Sequence, residues 1–566
     1  MFKLPKSIIK STGKAIYHDP EIKKIVTKHP KLSGFIKRRL TPDQKFGLYL
    51  TIGMLISIIF VYLFITVLES LIQQESLYQA DSRIINLLQV LRTPAINKLM
   101  LFITYLGEGP IVILGAFFIA ILFFIFKKKN YSIALIVSVL FGQIFVLVLK
   151  NIIQRPRPLP LNALIPESSF SFPSGHAFVA LSFYGLVSYF LFRESKNKLQ
   201  KTLSILLGIL LILGIGFSRI YLGVHWPSDV LASYAAGAAW LTALITSLEI
   251  RRKFNHKPQD KTIKENSGNR GTFSPESPMD IDIPVDSVTK KRECIDRDYR
   301  TKGNQIIGNL CISERSGIIN RNIHNKNKVK LLGLIFFIIW IIYLTYFFNT
   351  HFLLQTQKIS ADSIMLSESQ VPEAFFTNFS RYSEDLTGVP IEPINLIFIS
   401  SRKQLENTFE KANWLKTDNI HFKSIILSLN AVLFNQPYDR SPGIPSFWNT
   451  FPNDFAYGQP TEKHSILERH HIHFWKTPFL INNQEVWFST AHFDNSITSR
   501  SRVIFAIHKI NPAVDKEREK IKEDLLKTRQ VRKIEEFQIV EPSAGTNSAG
   551  NMFFTDGKAE IIYLAE

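Results

Sequence analysis

The chain has 566 residues, 46% hydrophobic and 20% charged, with 45 Phe, a mean hydropathy of +0.07 and a formal charge of +20. Apolar runs as long as the ~20 residues a helix needs to cross a bilayer make it a polytopic membrane protein. With 27 Gly, 27 Pro and two Cys, the composition excludes a collagen-like fibre, a disulfide scaffold and disorder as a whole-chain state.

Residues 1–45 form a basic arm with 12 Lys+Arg against 3 Asp+Glu, suited to lying on the inner leaflet. Spans are predicted at 47–68, 109–126, 131–149, 176–193, 202–218, 228–248 and 331–348. Between the first two, Ile84, Leu87, Leu88 and Leu91 recur at helical spacing, so an interfacial helix is expected within 81–106. Lys127 to Lys129, the cluster around Arg193 to Lys201 and residues 250–330 carry most of the remaining positive charge. Together with the arm they share one side if the N-terminus is cytoplasmic, which satisfies the positive-inside rule. Attraction to anionic headgroups accounts for such charge, and no nucleic-acid partner is expected. The first apolar run starts too late and is too long for a cleaved signal. Residues 251–330 read as a cytoplasmic linker, and Cys294 and Cys311 within it as free thiols. Beyond the seventh span, residues 385–530 carry a compact extracytoplasmic α+β pattern: a strand at 394–399, helices at 402–412 and 423–434, a hairpin around Asn482-Asn483, a strand at 503–507 and a helix at 512–527. Residues 531–566 are a strand-prone tail.

Three stretches place basic, hydroxyl and imidazole groups at span ends, where membrane helices rarely tolerate them. Lys150-x6-Arg157-Pro158 closes the third span, Pro173-Ser174-Gly175-His176 opens the fourth, and Ser218-Arg219-x5-His225-x3-Asp229 links the fifth to the sixth. All three fall at the outer face in the topology above. Lys150, Arg157 and Arg219 have no acidic residue beside them in sequence and match a dianionic phosphate or diphosphate. Ser174 and Gly175 precede a helix whose positive end faces the same oxyanions. Asp229, one turn beyond His225, is placed to fix its tautomer, leaving His225 as the nucleophile on phosphorus and His176 as general acid and later base. Three cations meet the transition-state charge, and neither metal nor cofactor is expected.

These three motifs resemble those of the type 2 phosphatidic acid phosphatase family, which is related to vanadium haloperoxidases. The resemblance implies an all-α, six-helix lipid phosphatase core over residues 46–250, independent of metal. It also implies His225 as nucleophile, Asp229 as its partner and His176 as acid, with Lys150, Arg157, Ser174, Gly175 and Arg219 holding phosphate. Pro393-Ile-Asn-Leu-Ile-Phe-Ile-Ser-Ser-Arg402, residues 453–457 and Arg469-His-His-Ile-His-Phe-Trp475 resemble the LssY-type C-terminal domain found on some bacterial phosphatases, with His473 standing where that pattern has an arginine.

The expected enzyme is a multi-pass protein of a bacterial inner membrane. It hydrolyses a lipid phosphomonoester or diphosphate, such as phosphatidic acid, phosphatidylglycerol phosphate or undecaprenyl diphosphate, through a phosphohistidine on the periplasmic side. The alternatives are phosphotransfer from the same site and a binding or transport protein, with a protein or glycan partner of the C-terminal domain left open. Arg155 is divided evenly between a solvated residue and a phosphate contact. His464, His470, His471, His473 and His492 include a pair, His471 and His473, that alternates onto one strand face, with His492 within reach. They suggest a metal site, but lacking cysteines or a dense carboxylate set they are assigned to a polar strand surface or packed core, with the metal as the alternative, and Trp475 and Trp487 to hairpin core.

Overall fold

A computed structural model describes residues 34, 35, 39, 47–74, 76–158, 163–255, 331–350, 363–368, 373–377, 379–434, 436–443, 445–498, 507–546 and 552–565. The basic arm, nearly all of the 251–330 linker with both cysteines, and most of the strand expected at 503–507 lie outside these residues.

Among the described residues the N-terminal half carries the helices α1 (Leu48–Ile72), α2 (Ser76–Val90), α3 (Pro94–Tyr105), α4 (Gly109–Ile125), α5 (Lys129–Ile153), α6 (Gly175–Glu194), α7 (Lys198–Tyr221) and α8 (Pro227–Asn255). A ninth, α9, runs over Leu331–Thr350. Among the described residues α1, α5, α6, α7, α8 and α9 are long and apolar enough to cross a membrane. Their outward side chains, such as Ile58 and Ile59 on α1 and Ile144 and Leu147 on α5, stay exposed, as lipid-facing groups must.

At the span expected over 109–126 stands helix α4, with 17 residues, about 25 Å at 1.5 Å per residue, at the short end of what crosses a bilayer. Joined to α3 across a 48° bend it passes the same test, for up to seven spans. The interfacial helix expected in 81–106 is two helices, since Pro94 at the start of α3 and Thr93, whose hydroxyl accepts from Ile96 N–H, begin a new one. Helix α2 buries Asp81, Arg83, Ile85 and Asn86, whereas Ile84, Leu87 and Leu88 are only partly covered.

The described residues divide into two compact units. The smaller takes Leu114–Ile136 and Ala243–Thr345 together with the chain up to Met54; within it Phe118 stacks on Phe336 at 4.7 Å. The larger takes Leu55–Ile113, Val137–Thr242 and Tyr346–Glu566, and holds all three motifs and the sheet domain.

The strands of that domain are β1 (Ile364–Leu366), β2 (Tyr382–Glu384), β3 (Pro390–Pro393), β4 (Leu396–Ile399), β5 (Leu415–Lys416), β6 (Phe447–Trp448), β7 (Phe451–Pro452), β8 (Phe455–Pro460), β9 (Arg469–Ile481), β10 (Gln484–Thr498), β11 (Ile507–Ile510), β12 (Val531–Gln538), β13 (Ser543–Thr546), β14 (Met552–Thr555) and β15 (Lys558–Leu564). Its helices are α10 (Arg402–Lys411), α11 (Phe422–Phe434) and α12 (Val514–Lys527). The main sheet runs β12-β15-β4-β10-β9-β8-β5, with β1 on β9 and β11 on β10. Alternation divides its side chains between two cores. Ile397, Trp475, Phe488 and Ile561 enter one, while Phe398, Phe474, Trp487 and Ile562 enter the other with Leu405, Phe409, Ile521 and Leu525 of α10 and α12. The β9–β10 hairpin turns at Asn482 and Asn483, both at positive φ (50° and 63°). Residues 531–566, expected as a tail beyond a domain ending at 530, supply β12 and β15, and β15 lies parallel to β4 inside the sheet.

Candidate active site

Helix geometry gathers the motifs. Lys150 lies in the last turn of α5, Ser174 caps α6 with its hydroxyl accepting from Ala177 N–H at 3.5 Å, and Arg219 lies in the last turn of α7. A tight turn then reverses the chain: Gly223 takes φ +73°, and the amides of Val224 and His225 both donate to the Arg219 carbonyl. This turn sets His225 directly before α8, with Pro227 at its first position and Asp229 in its first turn.

His225 is buried, its Nδ1 3.3 Å from Asp229 Oδ2 and its Nε2 3.3 Å from Arg157 Nη1. Asp229 also accepts from the Trp226 amide (3.0 Å) and, through Oδ1, from Arg155 Nη1 (2.6 Å). Burial and the cations of Arg157, Arg219 and Lys150 push the His225 imidazole well below its usual range, which keeps it neutral. Nε2 therefore faces the cationic cluster as a free base.

Arg157 donates Nη1 to the Val224 carbonyl (2.5 Å) and Nη2 to Ser169 Oγ (2.9 Å), and Lys150 Nζ donates to the same hydroxyl (2.8 Å). Arg219 donates to Thr104 Oγ1 (3.0 Å) and to Glu167. His176 Nε2 lies 2.7 Å from Glu108 Oε2 and within electrostatic reach of Arg219 and Glu167. The structure thus brings Lys150, Arg157, Arg219 and His225 into one cluster, with His176 at its border and Ser174 beside Asp229, whose carbonyl accepts from the Ser174 amide.

Three acidic residues, Asp81, Glu108 and Glu167, were not legible as parts of this site, and Arg155 takes a role other than the two weighed for it. Arg155 contacts no free surface: it bridges the buried carboxylates of Asp229 and Asp81 (2.6 and 2.7 Å), and Asp81 also accepts from the Ser228 amide (2.9 Å). Burial pushes the Asp81 carboxyl up and Arg155 opposes it. Asp81 and Glu108 come from helix ends far away in sequence. Glu167, ten residues past Arg157, places its carboxylate between Arg157 and Arg219, as the anion for which the cations are suited. Burial would raise its pKa, but Arg219 and Arg157 prevail and hold it at about 2. The signal for all of these was an ionisable residue near a membrane boundary.

Residues 131–253 match the PAP2 superfamily and residues 376–559 the LssY C-terminus. Over 185 residues the chain is 36% identical to phosphatidylglycerophosphatase B of Bacillus subtilis, covering 31% of this chain and 87% of that protein. The chain belongs to the PAP2 superfamily. This PAP2 protein is also 27% identical over 198 residues to the undecaprenyl-diphosphatase of Sulfolobus acidocaldarius, across 34% of its own length and 89% of that protein. It is 30% identical over 142 residues to the dolichyldiphosphatase of Saccharomyces cerevisiae, across 24% of its length and 57% of that protein. It is a multi-pass membrane phosphatase, a phosphoric ester hydrolase, and its relatives act on lipid phosphates.

Proposed function

We propose that this phosphatase removes the terminal phosphate of a membrane lipid, either a phosphomonoester such as phosphatidylglycerol phosphate or phosphatidic acid, or a diphosphate such as undecaprenyl diphosphate, through a phosphohistidine on His225. The observation that carries this reading is the imidazole itself. Asp229 accepts from Nδ1–H, which leaves the Nε2 lone pair directed at the place where Arg157 stands and where Lys150 and Arg219 concentrate positive charge. Phosphate displaces the Glu167 carboxylate from Arg157 and Arg219, with the Ser174 hydroxyl proton and the Gly175 amide adding the helix end.

His225 Nε2 then forms a bond to phosphorus as the bond to the leaving oxygen breaks, and His176 delivers its proton to that oxygen. Water attacks the phosphohistidine next; His176 takes a proton from it, the P–N bond breaks, and inorganic phosphate leaves. Lys150, Arg157 and Arg219 meet the charge on the equatorial oxygens throughout. The distribution of Lys and Arg supports a cytoplasmic N-terminus, which sets the site and the sheet domain on the periplasmic side of a bacterial inner membrane.

The test is phosphate release from phosphatidylglycerol phosphate and undecaprenyl diphosphate by the detergent-purified chain. Wild type is expected to turn over and to trap an acid-labile, base-stable phosphoryl label; His225→Ala shows neither, and His176→Ala is slowed about 10²–10⁴-fold. Turnover surviving in His225→Ala overturns the mechanism, and phosphorylated acceptor in place of free phosphate reassigns the enzyme to phosphotransfer.

A further inference from the structure

Three histidines of the sheet domain are buried side by side. The register of β9 against β10 sets His471 opposite His492, His473 opposite Thr490 and Arg469 opposite Asp494, so alternate residues of both strands project from one face. His471, His473 and His492 are all buried, and each offers a ring nitrogen within 4.8 Å of the other two. His464 and His470 do not join them: His464 is exposed beside Asp439, and His470 sits on Glu517.

The surroundings orient two of the rings. His492 Nδ1 meets Glu392 Oε2 at 2.9 Å, and His471 Nδ1 lies 3.7 Å from Asp494 Oδ2; His492 Nε2 is 3.4 Å from Asp494 Oδ1. For His471 the carboxylate at Nδ1 is the outer-sphere arrangement that leaves Nε2 as the ligand atom of a metal-binding imidazole, while the Nε2 of His492 points at Asp494, the carboxylate placed to share the cation. His471 Nε2 is buried with no hydrogen-bond partner among the described residues, a state unfavourable for a lone polar atom. The loop carrying Gly443 closes over the group: a Cβ at that position would stand 2.2 Å from His471 Cε1, so only glycine lets the backbone cover it.

We propose that His471, His473 and His492 form a metal site for a divalent cation of the zinc class in the C-terminal domain. Imidazole suits Zn²⁺, Ni²⁺ and Cu²⁺, and the two buried carboxylates beside it, Glu392 and Asp494, balance a doubly charged ion. Bonds of 2.0–2.1 Å would put tetrahedral ligand nitrogens about 3.4 Å apart, so modest side-chain rotation closes the present spacing, with Asp494 or water as the fourth ligand. The cation holds β9 and β10 together near the sheet's open end, a structural task separate from phosphate cleavage.

The experiment uses the full-length protein in detergent, stripped and then loaded with Zn²⁺ or Co²⁺ alone. About one metal per chain is expected to survive dialysis, with Co²⁺ showing the intense visible absorption of a four-coordinate site. His471→Gln and His492→Gln lose it, His464→Gln keeps it, and Glu392→Gln, which leaves every ligand in place, weakens it about 10–100-fold. Wild-type protein that retains no metal overturns the proposal whatever the variants do, because that result depends on no variant's folding. Retention undiminished in His471→Gln and His492→Gln overturns it equally.

Discussion

At the residue scale, Glu167 pairs with both Arg157 and Arg219, so on the proposed mechanism it competes with phosphate for them. Glu167→Gln is expected to tighten inhibition by inorganic phosphate about tenfold, a change of about 1.4 kcal/mol, measured as the inhibition constant in the phosphate-release assay. The folded pKa of Glu167, about 2, lies below its unfolded value of 4.5, so the stabilisation from its ion pairs is complete above pH 4.5 and is lost as pH falls towards 2. His225 acts in the same direction at higher pH: its folded pKa is depressed, so below pH 6.5 the unfolded chain takes up a proton that the folded one refuses. Melting temperature against pH should fall in two stages, and Glu167→Gln should remove the lower one. Arg155 has a different role, since it pairs two buried carboxylates. Arg155→Ala leaves Asp81 and Asp229 without their cation and should cost about 3–5 kcal/mol in denaturant titration.

At the element scale, α2 links chemistry to the sheet domain. One of its buried residues, Asp81, reaches Arg155 and so Asp229; the next, Arg83, reaches Glu384 of β2 at 2.6 Å; and Asn86 donates to the Thr450 carbonyl at 2.9 Å. Asp81 and Arg83, two residues apart, point to nearly opposite sides of the helix, and Asn86, three residues on, falls near the side of Arg83, so one helix faces both partners. Arg83→Ala strands the Glu384 carboxylate, 14% exposed, in this contact. It should loosen the sheet domain, seen as faster proteolysis between α9 and β2, while inorganic phosphate still binds the catalytic cluster. Strand β15 offers a second test. Its Ile561 and Ile562 are buried on opposite faces, and it separates β12 from β4. Truncation after residue 530 uncovers the β4 edge and both cores, so the shortened chain should aggregate on expression, as an exposed apolar edge does.

At the scale of the whole molecule, residues 1–45 and 250–330 carry most of the positive excess, and the orientation proposed above, with both in the cytoplasm, rests on that charge and is open to a direct test. A membrane-impermeant thiol reagent should label Cys294 and Cys311 only in inverted vesicles. A cysteine replacing Lys463, an exposed residue of the sheet domain, should react in intact spheroplasts. Labelling of both from one side would remove α9 from the count of crossings.

The sequence by itself determined the parts that depend on local order. Apolar run length marked the helices at 48–72, 129–153, 175–194, 198–221, 227–255 and 331–350, because a bilayer demands a minimum length of hydrocarbon contact. Three short motifs marked Lys150, Arg157, Ser174, His176, Arg219, His225 and Asp229, because each keeps its chemistry within about two helical turns. Asn482-Asn483 marked the hairpin, because few residues accept positive φ. Tertiary structure alone decided the rest. Asp81, Glu108 and Glu167 join the site across 148, 68 and 52 residues. Arg155 turns from a candidate anion contact into the brace of two carboxylates. His492 meets His471 only through strand register, and within the tail expected after residue 530 β15 becomes an interior strand with β12 at its edge. Each of these pairs charges or apolar faces that are distant in sequence, and their energy exists only once burial has brought them together and excluded water.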